Sequence, residues 1–243
     1  MLYVIIPAYN EEVNIEQCIN DWYPIVENYC GGGYSRLVII NDGSTDNTYS
    51  IMEKCAETRP LLQPLSKQNE GHGATVLYGY RYAIENKADY IFQTDSDGQT
   101  DPTEFEKFWK EKEKYDAVIG KRIVRGDGKA RKFVEDMVCF LLRAIFGVKV
   151  KDANAPFRLM KASLVDKYIR KLPEGFNIPN IMFTTYFVYH HEKVKFLPIT
   201  FEPRHGGKNS VNIKKIIKIG WNAVGDFQKL RKEIDDVYGG SEK

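Results

Sequence analysis

"DYIFQTDSDGQTD", residues 89–101, runs a short apolar, aromatic segment straight into a loop holding Asp95, Asp97, Gly98 and Asp101, with Pro102 behind it. A strand that ends in carboxylates and is followed by a helix start is the signature of an α/β sheet whose loops carry the chemistry. The same order recurs around it. "LYVII" at 2–6, "RLVII" at 36–40, "LLQPL" at 61–65 and "DAVIG" at 116–120 are each apolar without strict alternation. Helical patterns fall near 11–29, 44–58, 71–87 and 102–114. Strands of this kind separated by helices predict a Rossmann-like, mostly parallel sheet with helices on both faces. Asn10 before Glu11 and Glu12 suits a helix N-cap, and Pro102 suits a first helical turn.

In such a sheet, ligands bind outside the carboxyl ends of the strands, near the point where strand order reverses. Polar residues gather at those ends: "PAYNEE", "NDGSTD", "KQNEGHG", "TDSDGQTD" and the "KR" at 121–122. Asp95 and Asp97 alternate across a strand end and Gln99 adds an amide oxygen. Two hard carboxylates can hold Mg²⁺ or Mn²⁺ when a diphosphate supplies the remaining ligands. Taken alone, "DSDG" is equally a solvated turn capping the next helix. An EF-hand is excluded because Gly98 is the fourth residue of the would-be loop and Thr100 the sixth. A "DxDGT" phosphatase is disfavoured because Gln99 follows Gly98 and the motif comes after the fourth strand. The loop at 69–73 lacks the GK[ST] ending of a P-loop, and no GxGxxG follows the first strand.

Beyond residue 120 the pattern is irregular. "RKFVEDMVCFLLRAIFG" puts Phe133, Met137, Phe140, Leu141, Ala144 and Ile145 on one helical stripe, which is expected to be buried. "VKDANAPFRLMK" reads as a loop, "VKFLPITFEP" as an edge strand, and "RHGGKNS" as a basic loop. A closing helix is expected over about 212–234. Its Ile213, Ile216, Ile217, Trp221, Val224 and Phe227 suit either core packing or a seat on an anionic bilayer beside Lys214, Lys215 and Lys218.

The 243 residues carry a net charge of +2, which gives no general reason to expect nucleic-acid binding. Four scattered cysteines, Cys18, Cys30, Cys55 and Cys139, form no zinc or disulfide pattern and suit a reducing compartment. The N-terminus has no secretory-signal pattern, and "MVCFLLRAIFGVKV" is interrupted by Arg143 and too short to span a bilayer. A cytoplasmic chain is expected, with at most peripheral membrane contact.

Together "VIIPAYNEEVNIEQCI", "VIINDGSTDNT", "NEGHGATVLYGYRYA", "YIFQTDSDGQTDP", "KR…R", "DANAPFRLMK" and "FEPRHGGKNSVNIKK" resemble, in order, the family 2 glycosyltransferases of the GT-A fold. The likeness covers residues 2 to 220, and the branch it most resembles acts on polyprenol phosphates, as dolichol-phosphate mannose synthase does. The resemblance implies an inverting transferase using a GDP- or UDP-linked sugar. Pro7, Ala8, Tyr9, Glu11, Asp42, Gly71, Asp95 and Ser96 would bind the nucleotide sugar, with Gly71 and Gly73 letting the loop pass close to it. Asp95, Asp97 and Gln99 would hold Mg²⁺ or Mn²⁺. Arg122, Arg131, Arg204 and Lys208 would meet the reacting phosphates, and Asp97, Arg122, Arg131 and Asp152 are the catalytic candidates.

One domain over 1–243 would then comprise a nucleotide-sugar half at 1–120, an irregular acceptor half at 121–211 and an amphipathic helix at 212–234. A phosphate acceptor needs no general base, whereas an alcohol does. Asn177 and Asn180 stand where many family members carry an acid, leaving Glu174 and Asp152 as the nearby candidates. A polyprenyl phosphate acceptor is therefore expected, with a glycan hydroxyl acceptor and a non-catalytic sugar-nucleotide-binding module as the alternatives.

Overall fold

The computed structural model describes residues 1–29, 34–125, 129–172 and 176–203, with Gly225, Phe227 and Arg231; for 124–125 and 129–131 it describes the backbone. Seven strands form one sheet: β1 (Leu2–Ala8), β2 (Arg36–Asp42), β3 (Leu62–Lys67), β4 (Tyr90–Gln93), β5 (Ala117–Arg125), β6 (Arg158–Lys161) and β7 (Val194–Phe201). Their order is β3-β2-β1-β4-β6-β5-β7. The pairs β1/β2, β2/β3, β1/β4 and β5/β7 are parallel, and β6 runs antiparallel between β4 and β5.

The expected mostly parallel sheet is present, and "VKFLPITFEP" supplies its edge strand. Residues 158–161 overturn the reading of "VKDANAPFRLMK" as loop throughout: four of its residues form β6. The inserted strand has no pattern of its own. Its partners Gln93 to Tyr90 and Ala117 to Ile119 define it, through the register Gln93↔Arg158 and Ile119↔Arg158.

Helices cover both faces because the strand residues divide between them. Tyr3, Ile5, Val38 and Ile40 belong to one buried cluster with Val76, Leu77 and Tyr80 of α3 (His72–Glu85) and Phe183 and Phe187 of α7 (Pro179–Tyr189). Leu2, Val4, Ile6, Leu37 and Ile39 belong to the other, with Ile15, Ile19 and Trp22 of α1 (Ile15–Asn28), Met52 of α2 (Thr48–Ala56) and Phe105 and Phe108 of α4 (Phe105–Trp109). Fully burying a side chain of this size contributes about 1.5–3 kcal/mol, so both faces are strongly specified.

Two helix starts bear on the site. Asn10 is not the N-cap of α1: it takes a positive φ of 54°, residues 11–14 form a turn, and Asn10 bonds the second loop instead, accepting from Thr45 N at 2.8 Å and donating to Ser44 Oγ at 2.9 Å. Asp101 does cap the single 3-10 turn at Pro102–Glu104, accepting from Thr103 N at 2.9 Å.

Helix α5 (Lys129–Phe146) buries a face rotated away from the one expected, with Ile145 at the border of both. Phe133 and Phe140 are 69% and 68% exposed, and Met137 is also exposed. Leu142 and Phe146 are buried instead, with Val138, Cys139 and Ile145 packed beside them. Glu135 shares that inward face, its carboxylate accepting from Arg122 and from the Ala153 backbone N–H. Val138, Cys139, Leu142, Ile145 and Phe146 also recur at helical spacing, so the helix carries a second apolar stripe and buries that one. Helix α6 (Ala162–Ile169) completes this layer. Of the closing helix expected over 212–234, Phe227 is described as buried, with its ring 6.0 Å from that of Phe146.

Candidate active site

Strand order reverses between β1 and β4, so the carboxyl ends of these two strands open a crevice. Their ends are tied together: Thr94 N donates to Ile5 O at 3.2 Å and Ser96 Oγ to Pro7 O at 2.9 Å. Pro7, Ala8 and Ser96 are therefore wall residues, with Ala8 and Ser96 buried. Tyr9 stands 42% exposed at the rim. Glu11 is buried, takes the amide of Asn14 at 2.7 Å through Oε2, and donates its own backbone N–H to Thr48 Oγ1.

Asp95 and Asp97 are half-buried in the loop after β4. Asp95 Oδ1 accepts from Gln93 Nε2 at 3.2 Å, and His72 Nε2 lies 3.8 Å away on the first turn of α3. Asp97 Oδ1 receives Gln99 N at 3.2 Å. Gln99 is buried and pins this loop to the end of β7, its amide donating to Glu202 O at 2.8 Å while its own carbonyl accepts from Glu202 N.

The second and third loops meet at Asp42. Its Oδ1 accepts from Lys67 Nζ at 2.8 Å and Glu70 N at 3.0 Å, and its Oδ2 from Gly71 N at 2.9 Å. Burial alone would raise this carboxyl, but the bonds from Lys67 and the Glu70 backbone outweigh it and hold Asp42 below its ordinary value. Asp42 thus shapes the loop at 67–71. Gly71 opens α3 with φ at 93°, which favours glycine. Gly73 serves packing: a Cβ there would come within 2.4 Å of the Asn177 carbonyl.

Arg122 and Asp152, both named as catalytic candidates, are paired with each other. Arg122 Nε and Nη2 donate to Asp152 at 2.8 and 2.7 Å, Nη2 also reaches Glu135 Oε2 at 2.8 Å, and the guanidinium lies over the Phe201 ring. Glu135 Oε1 accepts from Ala153 N at 2.8 Å. One cation thus sits between two buried carboxylates. Burial raises Asp152, but the bonds and charge of Arg122 prevail and hold it low. Glu135 is held high by burial and by the Asp152 charge.

Arg131 lies on α5 with its side chain outside the described residues, and Arg204, Lys208 and Glu174 also lie outside them. Gln93 and Glu135 were not among the expected site residues, and His72 was expected only as a surface or locally hydrogen-bonded residue. Gln93 was hidden inside a strand that reads as core, and Glu135 left one detectable signal, an acid flanked by apolar residues at helical spacing.

The donor set suits a hard divalent cation, since Asp95 and Asp97 offer carboxylate oxygens at the crevice. Among the described residues no three His, Cys, Asp or Glu side chains cluster as a self-sufficient metal site, so a cation held by Asp95 and Asp97 would need further oxygens from substrate or water. No described helix is long and apolar enough to cross a membrane.

The profile of glycosyl transferase family 2 matches residues 3–232. A UDP-N-acetylglucosamine–dolichyl-phosphate N-acetylglucosaminyltransferase of Methanococcus voltae is 32% identical over 120 residues, covering 44% of this chain and 45% of its own. An undecaprenyl-phosphate 4-deoxy-4-formamido-L-arabinose transferase of Shewanella sediminis is 26% identical over 165 residues, covering 67% of this chain and 48% of its own. The chain spans about half the length of these two relatives. Among solved structures, glucosyl-3-phosphoglycerate synthase of Mycobacterium tuberculosis with Mn²⁺, UDP-glucose and phosphoglyceric acid superposes with TM-score 0.69 at 18% identity, over 96% of this chain and 80% of that one. TarS 1–349 of S. aureus with UDP-GlcNAc gives 0.60 at 19% identity, over 87% and 61%. These likenesses establish a shared fold.

Proposed function

The chain belongs to glycosyl transferase family 2, and from that premise we propose that it moves a sugar, with inversion, from a nucleoside-diphosphate sugar to a polyprenyl phosphate. The observation that carries the reading is the pair Asp95 and Asp97, half-buried at the strand-order reversal of a sheet whose other loops converge there. The M. voltae and S. sediminis relatives are named for dolichyl- and undecaprenyl-phosphate substrates, which supports the acceptor class. The neighbours bound to UDP-glucose and UDP-GlcNAc favour UDP over GDP in the donor.

In the reaction, an oxygen of the acceptor phosphate attacks the anomeric carbon, the bond from that carbon to the diphosphate oxygen breaks, and the nucleoside diphosphate leaves with the electron pair. Mg²⁺ or Mn²⁺ bound at Asp95 and Asp97 would neutralise charge on that leaving group. Tyr9, Pro7, Ala8, Glu11 and Ser96 form the wall against which the nucleotide would lie, and Asp42 and Gly71 hold the facing loop. Gln99 acts by anchoring the acidic loop.

Asp152 suits a base poorly, because its carboxylate is committed to Arg122 and its proton affinity is lowered. A phosphate acceptor removes the need for one. Arg122 correspondingly serves as a structural cation, leaving Arg131, Arg204 and Lys208 as the proposed phosphate partners. The exposed Phe133, Met137 and Phe140 on α5, flanked by exposed Lys132 and Arg143, support a peripheral seat on an anionic bilayer, on its cytoplasmic face. Residues 1–120 and 121–211 would then serve donor and acceptor respectively.

A thermal-shift panel of UDP-, GDP- and dTDP-sugars with Mn²⁺ tests the donor. A ligand at a hundred times its Kd adds about 2.7 kcal/mol of stability. A clear rise with one nucleotide class is expected, and no rise with any sugar nucleotide would overturn the reading.

A further inference from the structure

Behind the acidic loop lies a chain of buried polar groups that the proposed chemistry does not use. Gln93, the last residue of β4, is fully buried and donates to Asp95 Oδ1 at 3.2 Å. Its own Oε1 accepts from Asn180 Nδ2 at 3.0 Å, and Asn180 Oδ1 accepts from Tyr80 Oη at 3.4 Å. Opposite Gln93 in the sheet register stands Arg158, also fully buried. Its guanidinium donates to Asn180 O at 3.1 Å and to Ala155 O at 3.1 and 2.6 Å.

A buried polar network is retained only when its members are satisfied, and a buried guanidinium bonded to carbonyls keeps a positive charge under whatever lies above it. Here the loop carboxylate within its reach is that of Asp95. The inserted strand β6 brings Arg158 to this place, and α7 brings Asn180.

We propose that Gln93, held by Asn180 and backed by Arg158, is a positioning residue for Asp95. It fixes Oδ1 by a hydrogen bond so that the carboxylate is already oriented for a metal–diphosphate. A carboxylate on an unsupported loop would have to be ordered at binding, whereas this one is ordered in advance. The inference rests on the reading of Asp95 given under the proposed function.

Gln93→Met keeps length and apolar volume but cannot donate. Asn180→Asp is nearly isosteric, loses the donor to Gln93, and has Arg158 beside it to compensate its charge. Thr184→Val disturbs the same network at its far end, where Thr184 Oγ1 bonds Asn180 O and Ala153 O, without touching the Gln93–Asp95 bond. Calorimetric titration with Mn²⁺ and UDP, and in parallel GDP, should give a Kd about tenfold weaker for Gln93→Met, or about 1.4 kcal/mol. Asn180→Asp should weaken it in the same direction, and Thr184→Val should leave it within twofold while still lowering the thermal midpoint. In the metal-free protein, amide exchange over residues 94–100 should quicken in Gln93→Met but not in Thr184→Val.

Wild-type-like Kd values in both Gln93→Met and Asn180→Asp would overturn the positioning role with the function intact. If the wild type binds neither nucleotide with Mn²⁺, the function reading fails and the positioning role with it.

Discussion

Replacing Arg122 by methionine would leave Asp152 and Glu135 facing each other in the interior without their shared cation. The side chains of Arg122, Glu135 and Asp152 are 8%, 11% and 3% exposed, so solvent screens the loss little. Removing one partner of a buried ion pair costs about 3–5 kcal/mol, a large part of a total stability of about 5–15 kcal/mol. Relief is available through protonation. Glu135 already sits above its ordinary 4.5, and without Arg122 the Asp152 carboxyl, now held below 3.8, should rise as well.

A carboxyl raised in the folded state makes the fold bind more protons, so stability falls as pH climbs through the window above 4.5. In the wild type the depressed Asp152 works the other way, its contribution being present above pH 3.8 and lost as pH falls through the folded value. The cost of Arg122→Met should therefore be about 3 kcal/mol or more at pH 7 and smaller by about 1 kcal/mol or more at pH 5. Urea unfolding followed by circular dichroism at both pH values measures it. A cost below about 1 kcal/mol that does not change with pH would refute the buried-triad account.

Asp97→Ala should abolish Mn²⁺-dependent nucleotide-sugar binding with the fold retained, and calorimetric binding equal to wild type would contradict its proposed metal role. Combined Phe133→Ser and Phe140→Ser should reduce co-sedimentation with anionic vesicles by about fivefold or more, given about 0.8 kcal/mol for each buried CH₂ withdrawn from lipid; unchanged sedimentation would remove α5 from the membrane contact. Lys67 is raised by its bonds to Asp42 and Glu70, which exceed the effect of burial, while Asp42 is depressed. Their pairing should stabilise the fold between pH 3.8 and 10.5, being lost as pH falls through the folded Asp42 value and as it rises through the folded Lys67 value. Lys67→Met should flatten both limbs, as read by thermal unfolding across pH.

Much of the sheet was legible because β1, β2 and β4 are continuous apolar runs, and a strand buried on both faces needs that composition. β6 was not, because "RLMK" becomes a strand only through partners more than thirty residues away in sequence. The place of Asp95 and Asp97 at a strand end was legible, as was the turn beginning at Pro102, since both rest on local spacing. The roles of Asp42, Gln99 and Arg122 were not, because each depends on which neighbours reach it: Lys67 and Gly71, Glu202, and the pair Glu135 and Asp152. The face of α5 was misread because two apolar stripes compete on it, and the one through Val138, Leu142 and Phe146 meets the core.

The proposed function is transfer to a lipid phosphate without a general base. Incubating the protein with radiolabelled UDP-sugar, Mn²⁺ and vesicles carrying either a polyprenyl phosphate or the corresponding polyprenol compares the two acceptors directly. Label should pass into the lipid fraction with the phosphate alone and should be lost on chelating the metal. Label reaching the alcohol equally well, or reaching neither lipid while the donor is bound, would contradict it.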